Sequence, residues 1–142
     1  MTIYKDIRAA LETRLANTVG LPSGIEYEAV SFEPTANTSY LQVALVPTLR
    51  VPAVVGTNPQ MRYQGVFRVF CYIPNGSGPA QAETMAQIVL EAFDATTDIS
   101  YTNLSGKTII VSVDYADVNL GVTENTSWYY IPVNIGWHIY SD

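Results

Sequence analysis

A chain of 142 residues carrying a net charge of −6 has room for one domain, residues 1–142, that buries about two-thirds of its unfolded surface. Its acidic balance and seven scattered basic residues exclude sequence-specific nucleic-acid binding and attraction to an anionic membrane, since both need clustered Lys and Arg. Only 14% of residues are charged while ten are tyrosine, against an average near 25% charged, a composition suited to a surface partly covered by other subunits.

The elements begin with a helix. Thr2 stands at its cap, Ile3, Ile7, Leu11 and Leu15 recur at spacing four with Ala10 on the same side, and Asn17 and Gly20 stop it. Leu21–Gly24 reads as a turn, and a short strand is expected over Glu26–Phe32, ended by the turn Glu33-Pro34-Thr35-Ala36-Asn37. Ser39–Val46 alternates as a strand, with Leu41, Val43 and Leu45 on one face.

The segment from Val46 to Gln60 is apolar like a core strand but holds Pro47, Pro52 and Pro59. Proline donates no ladder hydrogen bond, which rules out a central strand and predicts a long connection or arm outside regular structure. Exposed valines on such a loop make sense when another protein covers them. The candidate contact residues are Leu49, Arg50, Val51, Pro52, Val54, Val55, Asn58, Met61 and Arg62.

Arg62–Ile73 follows as a long strand with Tyr63, Gly65, Phe67, Val69, Cys71 and Ile73 on one side, so the two strands form a hairpin with a drawn-out tip. Pro74–Gly78 opens a second helix near Pro79, whose stripe is Ala82, Met85, Ala86, Val89 and Phe93; Asp94–Asp98 ends it. A strand over Lys107–Tyr115, a turn region over Asp117–Asn125 with a bulge at Gly121, and a last strand over Thr126–Tyr140 complete the chain. The predicted fold is α+β: a mostly antiparallel, mixed sheet with two helices on one face and a long hairpin arm around residues 47–61.

Catalytic parts are missing. Cys71 and His138 are the sole cysteine and histidine, too few for a metal site and without a nucleophile motif. Asp94 and Asp98 read as turn formers, Asp114 and Asp117 lack the regular oxygens of a calcium loop, and Gly76-Ser77-Gly78 lacks the lysine of a phosphate loop. The reading is a non-enzyme without cofactor. A lone cysteine implies no disulfide, residues 1–6 lack a signal peptide's pattern, and no apolar run approaches the roughly 18 to 20 residues of a membrane span.

Ile3-Tyr4-Lys5-Asp6-Ile7-Arg8, Val30-Ser31-Phe32-Glu33-Pro34-Thr35, Arg62-Tyr63-Gln64-Gly65-Val66-Phe67, Tyr72-Ile73-Pro74 and Gly78-Pro79-Ala80 together resemble the tail-terminator-like proteins of long, non-contractile-tailed bacteriophages, most clearly over residues 3 to 95. The resemblance implies a structural virion protein whose copies form a hexameric ring on the finished tail tube. That ring stops tube polymerisation and offers a head- or neck-joining surface. The implied partners are copies of the chain, the tail tube protein and a neck or head–tail connector protein. The implied place is the head-proximal end of the tail, after assembly in the host cytoplasm. DNA passes through such a ring, and about −36 of charge on six copies disfavours DNA sticking to its wall. Two alternatives stay open: a neck, head-completion or tube subunit, and a small-ligand-binding α+β domain that uses the aromatic second sheet face as its floor.

Overall fold

The computed structural model describes residues 2–54, 56, 60–125 and 127–141. Two helices, α1 (Ile3–Ala16) and α2 (Ala80–Ala92), cover one face of a seven-stranded sheet. The strands are β1 (Ile25–Glu26), β2 (Tyr40–Pro52), β3 (Met61–Pro74), β4 (Asp98–Thr102), β5 (Thr108–Val118), β6 (Val122–Glu124) and β7 (Trp128–Ser141). Their order is β1-β2-β3-β7-β5-β4, with β6 also paired to β7. Only β1–β2 is parallel, so the sheet is mixed. The α+β expectation holds.

The apolar stripes do what their spacing dictates. Ile3, Ile7, Ala10, Leu11 and Leu15 from α1, and Ala82, Met85, Ala86 and Val89 from α2, are buried with Phe93 against Leu41, Val43, Phe67, Val69, Val133, Ile135 and Trp137. Thr2 does not cap α1 with its side chain: its hydroxyl donates to Asp6 Oδ2 at 3.0 Å, and Asn103 Nδ2 donates to the same oxygen at 3.0 Å. This bonding lets Asp6 lie buried and ties the start of α1 to the β4–β5 turn.

Several expectations need correction. The strand foreseen over Glu26–Phe32 shrinks to Ile25–Glu26, because the chain turns over Tyr27–Val30 with Ala29 at φ 61°. α2 ends ahead of Asp94–Asp98 as expected, but β4 follows directly, in a stretch to which the sequence assigns no element. It is short and mostly polar, with Ile99 its one buried residue. The turn region over Asp117–Asn125 is largely strand: β5 runs on to Val118, and β6 continues the same flank of β7 after a break at Asn119–Gly121.

The most consequential correction concerns the prolines. Val46–Pro52 is not outside regular structure, because β2 continues through it, paired to β3 as far as Pro52↔Met61. The chain tolerates this because β2 is an edge strand beyond its short contact with β1 at Leu41 and Gln42. The amides of Leu41 and Leu45 face away from β3, toward the Gly24 carbonyl (2.9 Å) and Glu28 Oε1 (2.6 Å). Pro47, two residues on, takes the next outward position, where no ladder donor is needed. The register slips between Pro47 and Leu49, and the Thr48 hydroxyl donates to the Gln64 carbonyl at 3.3 Å. Beyond the slip, the Ala53 amide bonds the Gln60 carbonyl across the hairpin at 2.7 Å. Its neighbour Pro52 is therefore again outward-facing.

Candidate assembly surface

The sheet face away from the helices splits into three zones. At the end nearest the β6–β7 turn, Tyr40, Tyr72 and Tyr130 lie in one register row. Tyr40 and Tyr72 stack with centroids 4.7 Å apart, Tyr130 follows at 4.8 Å, and Phe32 and Trp128 close over Tyr40 at 5.2 and 5.1 Å. Both central rings are buried although they point away from the core. Burial is the leading cause, with nearby Glu124 contributing, that pushes the Tyr72 phenol upward; burial with Glu26 and Glu124 pushes the Tyr40 phenol to about 12. The aromatic floor is thus already filled by its own side chains.

In the middle zone a bulge at Asp114 lets Tyr115 pair with Gly136. A Cβ on Gly136 would meet Tyr115 Cζ at 2.6 Å, so glycine is what lets the ring lie flat on β7. Beside it, Arg68 Nε donates to Asn134 Oδ1 at 3.0 Å. In the third zone His138 Nδ1 pairs with Asp114, and the Arg62 guanidinium sits over Tyr140. His138 belongs to this outer face and Cys71 to the core face, so they cannot act as a pair.

The residues foreseen as contacts fall on the β2–β3 hairpin. Val46, Leu49 and Val54 are 40%, 44% and 61% exposed. Arg50 is exposed and donates from Nε to the Tyr63 hydroxyl at 3.1 Å, while Pro52 is exposed and Val51 half-buried. Met61 and Arg62 are half-buried, and Arg62 donates to Gln64 Oε1 at 2.8 Å. Val55 and Asn58 lie outside the described residues. The hairpin is no free arm along its whole length, because β7 pairs β3 down to Met61↔Ser141.

Sequence reading missed a second exposed apolar run. Val118, Leu120 and Val122, at 42%, 89% and 41% exposure, line the β5–β6 flank. Their alternation is legible in the sequence, but it lies within the segment that reads as a turn. A further legible signal is charge segregation. Between Glu33 and Glu83 the chain holds Arg50, Arg62 and Arg68 and no acid; from Thr108 to Ser141 it holds Asp114, Asp117 and Glu124 and no Lys or Arg.

A profile described as "Phage tail terminator protein" matches residues 6–137. The chain belongs to that family. It is therefore a structural protein of the phage tail, a component of the virion that contacts other tail or head parts, and its family is not one of enzymes. A solved structure without a descriptive name shares the fold, with a TM-score of 0.70 and 24% identity over 96% of this chain and 94% of that one. A chain from the virion of a native gene transfer agent particle is 20% identical at a TM-score of 0.48, covering 98% of this chain and 92% of that one. Nothing among curated proteins matches. No group of three or more His, Cys, Asp or Glu side chains that could hold a metal ion occurs among the described residues.

Proposed function

We propose that this protein ends the tail tube: copies close into a hexameric ring on the last tube layer, halt further polymerisation and offer the opposite rim to a neck or head–tail connector protein. Membership of the tail terminator family across residues 6–137 carries this reading. The surface supports it physically. A ring needs two different patches on each subunit, one meeting the other on the neighbour, and exposed apolar runs lie on two separate flanks of the sheet. The ring occupies the head-proximal end of the virion tail, its partners are the tube protein and a connector, and it is assembled in the host cytoplasm. DNA passes through it without sequence-specific contacts.

Purified chain titrated into polymerising tail tubes tests the reading. Growth arrest at a fixed tube length distribution is the expected result, and tubes that lengthen without limit in its presence would contradict it.

A further inference from the structure

The sheet is covered unevenly along its two flanks. On one side β1 pairs with β2 only at Leu41 and Gln42, which leaves the rest of β2 uncovered toward the β2–β3 turn. On the other side β4 pairs with β5 only over Thr108–Ser112, which leaves Asp114–Glu124 uncovered toward the β6–β7 turn. These two turns lie at opposite ends of the sheet, because Met61 pairs with Ser141 while Pro74 pairs with Trp128. The uncovered stretches lie on opposite flanks; they come level at mid-sheet, where Val46 and Asp117 line one pocket, and run from there toward opposite ends.

Their chemistry is complementary. Past Leu45, whose amide Glu28 holds, the hairpin presents Val46, Leu49 and Val54 with Arg50 and Arg62, and no acid of its own. Both arginines bond neutral groups, Tyr63 and Gln64, and neither pairs with a carboxylate among the described residues. The β5–β6 flank presents Val118, Leu120 and Val122 with Asp117 and Glu124, which likewise have no cation partner among the described residues. Leu49 and Val54 at one end and Leu120, Val122 and Glu124 at the other are out of reach of each other within one molecule, so these parts of the patches can meet only between molecules. Two different patches on opposite flanks are what a head-to-tail contact joins. Charges segregated by sign favour this register over hairpin-to-hairpin or flank-to-flank contacts, which would oppose like charges.

The hairpin edge also restricts how the contact forms. Pro47 and Pro52 remove outward amide donors, and Glu28 occupies the Leu45 amide. Continuation of the sheet into a neighbour through β2 is blocked, as in edges guarded against strand addition. Side chains must carry the contact.

We infer that the β2–β3 hairpin of one copy docks by its side chains on the β5–β6 flank of the next copy, Val46, Leu49 and Val54 against Val118, Leu120 and Val122, with Arg50 and Arg62 facing Asp117 and Glu124. This rests on the ring reading above and names its two patches. Val54→Cys and Leu120→Cys place thiols at exposed positions on the two patches, and Cys71 is too deeply buried to compete. On capped tubes, a short bismaleimide should link the double variant into a ladder of covalent oligomers up to the full ring, while each single variant stays uncoupled. Leu120→Asp should lose arrest of tube growth while keeping the wild-type circular dichroism and a protected Cys71. A ring that assembles without the double-variant ladder overturns this pairing and leaves the ring reading standing. Coupling of Val54→Cys alone also overturns it, by showing hairpin against hairpin. Wild-type chain that stays monomeric both on tubes and in solution overturns both readings.

Discussion

Pro47 lies opposite Gly65 across β2–β3, and the turn in β2 made there brings the Val46 carbonyl and the Pro47 Cα over the space a side chain on Gly65 would need. A Cβ at Gly65 would also fall 2.6 Å from Trp137 Cζ2, and Trp137 is itself buried. The proline slip and the glycine therefore form one fitted unit under the largest core side chain.

Gly65→Ala should destabilise strongly. One obstacle is backbone and the other a packed indole, so overpacking should cost about 3 kcal/mol or more. Gly136→Ala makes a useful contrast, because its obstacle is Tyr115, which is 44% exposed and free to swing outward. Its cost should be smaller, about 1 kcal/mol, and nearly absent in a Tyr115→Ala background. Urea titrations of the four variants check this order.

Cys71 offers a probe of global opening. The thiol is fully buried in the sheet centre, and burial pushes it up to about 12, leaving almost no thiolate at neutral pH. Reaction with a disulfide reagent in native buffer should follow unfolding rather than reagent concentration. A prompt, second-order reaction would show that the sheet opens locally at Cys71.

Acid should act on the α1–β2 junction through two glutamates with opposite signs. Burial tends to raise the Glu28 carboxyl, but the Leu45 amide and the Arg8 guanidinium outweigh it and hold it below its ordinary value. Its contribution is present above the unfolded value and lost as pH falls through the lowered folded one. Burial raises Glu12, and Arg8 at 3.3 Å does not repay it. Glu12 therefore opposes folding above its raised value and is relieved as pH falls. Glu28→Gln should flatten the acid-side loss of stability, and Glu12→Gln should raise stability at pH 7. Chemical denaturation at pH 3.5, 5 and 7 separates the two.

Alkali should find the stacked tyrosines. With Tyr40 held to about 12 and Tyr72 also raised, the unfolded chain loses phenol protons first, from its ordinary value near 10. Stability should fall above pH 10, and the last phenolate absorbance to develop, from the buried stack, should appear in step with unfolding. Tyr72→Phe keeps the stack, so it should weaken this alkaline loss without a comparable change at pH 7.

The helices and the core side of β2, β3 and β7 were legible because apolar residues recur at spacing four or two and every one of those faces is buried. β4 was not, since an edge strand with one buried residue leaves no periodic trace. Nor was the continuation of β2 through Pro47 and Pro52: proline rules out a strand only where both flanks are paired, and sequence does not say which flank is open. Valines held among prolines mark the hairpin as a contact surface, and Val46 and Val54 are indeed exposed. Val118, Leu120 and Val122 were passed over because Asn119 and Gly121 interrupt them, a break that the sheet absorbs between β5 and β6.

Counting copies per tube tests the account most directly. Tail tubes of different lengths, capped with isotopically labelled chain and weighed particle by particle, should carry six copies each at one end, whatever the length. A copy number that grows with tube length would make this protein a wall subunit and contradict the account.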